Sequence, residues 1–491
     1  MTGFVALALG LILRIAMYVS PKSLWGDEWF SLGLAQQPLA ATFAGAARDV
    51  HPPFYFLVLH EVIRFFGTSE WALRSVSLVA SIAALYLTGR VAELLFDKKT
   101  SIWAMALTAC SAYWIQPANE IRGYSLVSAL VLASAALAIR LASGASSKKM
   151  SAAFATVTAL CVYTEHLAWF WLLAVGVYAL FLARGGNRRL LRPMFWVLVV
   201  ALPSIGLIAY QAVWHEHAFE ASRVLPNYDP KLWVKKIAGV FWHFSNGYRF
   251  SMITLDGLKN LIRSSAFFWF SAASATCAVG AVGISLKQLW KNRPVWLMLV
   301  GAGLAPVVVF ALLYPIRLHA RYLIVAAPFF TILVAYGLSR IPRRSIAVAA
   351  GVLILGVNLV GSALAIASAT DSVHKEDYPA AVTWIFERAG TKDAVCGFAP
   401  PIQYYGRKAL QTSKALILPG TESLTPAIAR SLEKVFVLDY VNMDPAISEG
   451  LYRIQVERMR VLGFEPSAAP ISFGGQESLT RVYVFLKRTR S

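Results

Sequence analysis

The sequence predicts a multi-pass α-helical membrane protein of about eleven transmembrane helices, followed by a small extracytoplasmic α/β domain. Three observations predict it. The 491 residues are 57% hydrophobic and only 15% charged, with a mean hydropathy of +0.57, more apolar surface than a soluble chain of this length would carry. Apolar runs of about 18 residues or more recur along the chain, each long enough to cross the hydrocarbon core of a bilayer. From about residue 371 those runs stop, and short strand-like and amphipathic stretches replace them.

The first span is expected at about 4–20. Its cleavage pattern is weak, so it reads as a retained helix and not as a removed signal peptide. Residues 29–47 and 52–66 are semi-apolar and are expected to lie along the membrane surface as amphipathic helices, with Pro52 and Pro53 in the first turn of the second. Further spans follow at about 71–95, 101–117, 124–143, 151–165, 167–183, 194–213, 266–286, 294–314, 321–339 and 345–368. In the tail, "KEDYPAAVTWIFERAGTKDAVCGFAP" reads as a helix, a Gly-containing turn and a strand, and 434–441 and 481–488 as further strands. The expected domains are therefore 1–370, a membrane domain whose first outer loop is 21–70, and 371–491.

Basic residues set the orientation. "DKK" 97–99, "SSKKM" 146–150, "RGGNRRLLR" 184–192, "KQLWKNR" 287–293 and "SRIPRR" 339–344 fall on alternate connections, which the positive-inside rule places in the cytoplasm. The N-terminus is then cytoplasmic, and 21–70, 118–123, 165–167, 214–265, 315–320 and the tail face outward. The same rule, with anionic headgroups, accounts for a net charge of +20. No nucleic-acid module accompanies that charge, so no nucleic-acid partner is expected. Cys110, Cys161, Cys277 and Cys396 lack metal-ligand spacing, which argues against a disulfide framework or zinc knuckle. No Walker loop or Rossmann fingerprint appears, so no nucleotide or redox cofactor is expected.

The polar residues of the outer connections carry the chemistry. In "SLWGDEWFSLGL", 23–34, Asp27 and Glu28 form a carboxylate pair able to act as general base, and Trp25 and Trp29 fit a membrane interface; the alternative is two solvated loop acids. In "RDVHPPFYFLVLH", 48–60, His51 can orient a substrate or join an acid in a metal site; Asp49 is an acid close by, but no HxxH-type ligand spacing supports a metal, and the alternative is a loop histidine before a proline-initiated helix. "ANEIRGYSL" clusters Glu120, Arg122 and Tyr124, and the planar fork of an arginine suits a phosphate. "YTEHLAWF" adds Glu165 and His166. "YPIRLHARYLIVAAPFF" crowds Arg317, His319, Arg321 and Tyr322 into an outer loop where arginines are least expected, which points to an anionic ligand. For these arginines the alternatives are interfacial anchoring or pairing with headgroups and with the acids above.

These stretches resemble the membrane glycosyltransferases of the C-type fold, in the bacterial branch related to protein O-mannosyltransferases and the lipid A aminoarabinose transferase. The resemblance rests on the acidic pair after the first span, the "HPPFYFLVLH" element, "FGTSEWALRSVSLV" at 66–79, "NEIRGYSL", "RYLIVAAPFFTILVAYGL" at 321–338, and the tail segments "DYPAAVTWIFERAGTKDAV" and "PPIQYYG". It covers most of the chain, is most specific over 24–126 and is weak over 190–310. It implies transfer of a hexosyl or pentosyl group from a polyprenyl-phosphate donor to a lipid, protein or envelope-glycan acceptor at the outer face of the bacterial cytoplasmic membrane, with membrane lipids as surroundings. Inversion by direct displacement is implied, with Asp27 as base, Glu28 beside it, and Arg122 and Arg321 on the donor phosphate. Metal use varies across the broader fold and leaves a divalent cation open. A polytopic transporter or lipid flippase, with the same charges lining a substrate path, is the first alternative; it calls for ionisable residues at mid-membrane and for broken or repeated helices. A non-catalytic assembly subunit, with the tail as binding module, is the second.

Overall fold

The computed structural model describes residues 3–20, 23–144, 147–214, 230–247, 266–313, 320–370, 377–397, 399–440, 445–467, 469–473 and 480–488. The chain divides into two compact units, Met1–Val19 with Leu34–Ile366, and Ser20–Gly33 with Ala367–Ser491.

The first unit is helical. Six described helices are long and apolar enough to cross a membrane: Glu70–Leu95, Tyr124–Ala142, His166–Arg184, Leu191–Val213, Phe267–Leu289 and Arg344–Ala367. A seventh is counted if Arg293–Gly303 and Ala305–Leu312, bent by 42°, form one broken span. The protein is thus a multi-pass membrane protein. The other four expected spans are helices too short for that test. Near 4–20 and 151–165 they are Gly3–Val19 and Lys148–Thr164, of 17 residues each. Near 101–117 and 321–339 they are Lys98–Cys110, of 13 residues, and Ala327–Arg340, of 14.

The run at 101–117 is interrupted for a physical reason. Ser111 adopts an extended conformation, and a short helix Ala112–Ile115 and a 3-10 turn Gln116–Asn119 follow it. The carbonyls around the break are taken up by distant side chains. Ser362 Oγ donates to the Cys110 carbonyl at 2.6 Å, Ser81 Oγ to that of Trp114 at 3.2 Å, and Arg14 Nη2 to that of Thr108 at 3.2 Å. Arg14 is fully buried and also donates to Ser81 Oγ and the Gly10 carbonyl. Irregular backbone at membrane depth persists only where protein groups satisfy it in this way. At 321–339 the first residues form a 3-10 turn, Ala320–Leu323, before Ala327–Arg340 begins.

Small residues let these helices approach closely. A Cβ on Gly337, in Ala327–Arg340, would lie 1.9 Å from the Ala281 carbonyl oxygen of Ala266–Leu289. The expected surface helix at 29–47 is two helices, Gly26–Ala35 and Leu39–Ala47, interrupted at Pro38. Thr42 Oγ1 donates to the Leu34 and Gln37 carbonyls across the break. The next helix, Phe54–Phe66, starts after Pro53.

Among the described residues the second unit holds a six-stranded mixed sheet with helices. Its strands are β1 (Asp393–Gly397), β2 (Leu416–Ile417), β3 (Lys434–Tyr440), β4 (Phe464–Pro466), β5 (Ile471–Phe473) and β6 (Thr480–Lys487). The order is β2-β1-β3-β6-β4, with β5 also on β6. The β1–β2 and β1–β3 pairs are parallel, and all pairs of β6 are antiparallel. β3 is apolar on both faces because both are covered, as befits a central strand. Val435 and Val437 join a core with Cys396, Met459, Phe464 and Phe485. On the opposite face Phe436 meets Trp384 of the helix Tyr378–Phe386 edge-on, at 6.1 Å between ring centroids. Asp377 caps that helix by accepting from the Ala380 amide at 3.1 Å. Gly397 takes a φ of 112° against the Leu438 carbonyl, where any side chain would collide.

Candidate active site

The expected site residues fall into two groups. The larger lies in the helical unit, at the corner "NEIRGYSL" and the elements packed on it. Ser77 Oγ donates to the Glu120 and Arg122 carbonyls at 2.5 and 3.3 Å, and Asn119 Nδ2 to the Met17 carbonyl at 2.8 Å. Gly123 passes so close to Tyr55 and Thr164 that a Cβ would lie 3.3–3.4 Å from them. The corner is therefore fixed on three sides, and Arg122 within it is 4% exposed.

The Arg122 guanidinium meets an acid–imidazole pair. Asp49 Oδ2 lies 3.0 Å from His51 Nδ1, and Arg122 Nη2 lies 2.8 Å from His51 Nε2. The same Arg122 Nη2 lies 3.3 Å from His51 Nδ1, so the guanidinium packs against the imidazole and not along a single ring-nitrogen lone pair. Burial pushes the Asp49 carboxyl up. The hydrogen bond and charge of His51, the Val50 amide and Arg122 outweigh it and hold the carboxyl below its ordinary value.

Gln211, on the span Leu191–Val213, ties the same loop down. Its Nε2 donates to the Ala46 and His51 carbonyls at 3.1 and 3.3 Å, and its Oε1 lies 2.6 Å from His166 Nε2. Arg122, Arg321, Glu165 and Glu120 all lie within electrostatic reach of the Tyr124 phenol. The Arg321 guanidinium sits 5.1 Å from the Tyr322 ring centroid and donates to its hydroxyl at 3.2 Å. The unit thus gathers His51, Glu120, Arg122, Tyr124, His166, Arg321 and Tyr322, with Asp49 and Glu165. Arg317 and His319 lie outside the described residues.

Asp27 and Glu28 belong to the second unit, in the first turn of Gly26–Ala35. The two acids differ. Glu28 is buried at 1% exposure, and its Oε2 accepts from the Trp25 amide at 3.3 Å, a reach-back that caps the helix. Asp27 is half-buried, and its carbonyl accepts from Ser31 Oγ at 3.0 Å. Trp29, expected at an interface, is instead packed among Tyr378, Tyr404 and Tyr405. Among the described residues, no group of three or more His, Cys, Asp or Glu side chains is placed to hold a metal ion.

Gln211 and the three tyrosines escaped the reading from sequence. A lone amide in the apolar run "LIAYQAVW" is a signal for the first; nothing local pairs Trp29 with residues so far along the chain.

No protein-family model matches the sequence, and no curated protein matches it. Solved structures do match. ArnT from Cupriavidus metallidurans bound to undecaprenyl phosphate superposes with a TM-score of 0.57 at 12% identity, over 98% of this chain and 97% of that one. The same protein in the apo state gives 0.55 at 11% identity, with the same coverage. An oligosaccharyltransferase from Archaeoglobus fulgidus, tethered with an acceptor peptide, gives 0.48 at 12% identity, over 97% of this chain and 74% of that one. At these identities a likeness shows the fold alone, and along nearly its whole length this chain has the C-type fold of the membrane glycosyltransferases.

Proposed function

We propose that the protein transfers a sugar from a polyprenyl-phosphate donor to an acceptor at the outer face of the cytoplasmic membrane. The observation that carries this reading is the fold shared with an ArnT solved with undecaprenyl phosphate. The buried, oriented Arg122 supports it, because such a fork presents two hydrogen bonds to a phosphate. In this reading Arg122 and Arg321 hold the donor phosphate, and His51, Glu120, Tyr124, His166, Arg317 and Tyr322 bind the substrates. Asp27 is the general base, and Glu28, already engaged as a helix cap, positions it. Asp27 takes the proton of an acceptor hydroxyl or amine. The acceptor heteroatom attacks the anomeric carbon, and the bond to the phosphate oxygen breaks as the polyprenyl phosphate leaves with the electron pair, inverting the centre. The acceptor is a lipid, a protein or an envelope glycan. Residues 1–370 form the membrane domain, and 371–491 an extracytoplasmic domain.

The test is Asp27→Asn, which keeps the shape and removes the proton acceptor. Purified protein is incubated with a panel of labelled polyprenyl-phosphate sugars and candidate acceptors, and products are read by mass. General-base loss lowers turnover by about 10²–10⁴, while undecaprenyl phosphate binding stays near wild type. A folded Asp27→Asn protein that keeps most of its transferase activity removes Asp27 as base. Flux without covalent product, in wild type and variant alike, replaces the reading with a transporter.

A further inference from the structure

We infer that Trp29, Tyr378, Tyr404 and Tyr405 form an aromatic cage that positions Asp27, making the C-terminal unit part of the catalytic apparatus. The inference rests on the reading of Asp27 as base and adds the residues that hold it. The helix Gly26–Ala35 has ten residues, fewer than an isolated helix needs to persist in water. Its position must therefore come from packing. The Trp29 side chain is 4% exposed and meets Tyr378, Tyr404 and Tyr405 edge-on, at centroid distances of 6.1, 5.5 and 5.7 Å and interplanar angles of 79°, 75° and 89°. Tyr404 and Tyr405 are themselves edge-to-face at 5.0 Å. These are the preferred geometries of aromatic pairs.

A second restraint acts just before the helix. The Leu24 amide donates to the Tyr405 hydroxyl at 2.9 Å. One tyrosine therefore grips both the helix and the residue two positions before it. Residues two apart on an α-helix lie about 200° apart around its axis. With Trp29 turned into the cage, Asp27 is turned away from it, and it is half-buried where Trp29 and Glu28 are buried. The cage thus sets the rotation of the helix and with it the direction of the carboxylate. The tyrosines are positioning residues and not catalytic ones.

The experiment uses the full chain with Trp29→Leu, Tyr405→Leu and Tyr405→Phe, the last keeping the ring and losing the hydroxyl. Hydrogen exchange of peptides covering 23–33 is measured beside turnover, and undecaprenyl phosphate is the binding probe. Both Leu variants are expected to exchange faster at 23–33, with β3 and β6 unchanged. Their kcat is expected to fall about a hundredfold, the cost of a misplacement on the order of 1 Å, while undecaprenyl phosphate affinity holds. Tyr405→Phe is expected to fall between them and wild type. Exchange at 23–33 unchanged in both Leu variants overturns the inference. So does full turnover in both while Asp27→Asn is inactive, an outcome that leaves the base assignment standing. Full turnover in Asp27→Asn overturns the base assignment itself and the catalytic role of the cage with it.

Discussion

Replacing Arg122 by alanine separates a ligand-binding arginine from a structural one. Arg122 is 4% exposed, and its Nη2 lies 2.8 Å from His51 Nε2 and 3.3 Å from Nδ1. Its loss has two consequences of different kind. A charge-assisted hydrogen bond to a phosphate contributes about 1.5–3 kcal/mol, and each 1.4 kcal/mol is about tenfold in affinity. Undecaprenyl phosphate should therefore bind roughly tenfold to a hundredfold more weakly. Separately, Asp49 and His51 lose a buried cationic neighbour, at a stability cost of about 1–3 kcal/mol. Affinity is accordingly measured by equilibrium binding on the folded fraction, with melting followed in parallel. Arg122→Lys keeps the charge but not the fork and should fall between wild type and alanine. His51→Gln, which retains an acceptor for the guanidinium, should bind better than His51→Leu. A folded Arg122→Ala protein with undiminished affinity would refute the reasoning, and Arg122 would then be a structural residue.

Two further predictions concern the scaffold. The Asp49 carboxyl is held below its ordinary value of 3.8, so its contribution to stability is present at neutral pH and lost as pH falls through the lower folded value. Asp49→Asn should remove that part of the acid-induced loss in melting profiles, and an unchanged acid limb would count against it. Gly337→Ala sets a methyl against the Ala281 carbonyl oxygen, which is backbone and cannot swing aside. Overpacking of this kind costs about 1–3 kcal/mol; an unaltered melting temperature in detergent would show that the two helices separate freely.

Apolar run length located the long helices because it reports which solvent a segment tolerates. It says nothing of the path the backbone takes inside the protein, so the runs at 101–117, short for a span, and 321–339 both read as spans. The break at Ser111 depends on Arg14, Ser81 and Ser362, all remote in sequence. The same limit governs the site. The Asp49–His51 pair was within reach, being two residues apart, whereas the Arg122–His51 contact spans 71 residues. In "GDEW" two acids look equivalent. Their difference appears only when Glu28 is seen buried and bonded to the Trp25 amide, leaving Asp27 on the more open side.

The bond between Leu24 and Tyr405 joins residues 381 positions apart. At 5–20 residues per second, a ribosome needs roughly 20–75 s to travel between them. The helix that carries Asp27 is thus among the first pieces of the chain to be made and among the last to find its packing. Through that interval Trp29 waits without the tyrosines that will enclose it. A chain that stops short of the tail would carry every long apolar helix among the described residues and still lack the partners that fix its acid in place.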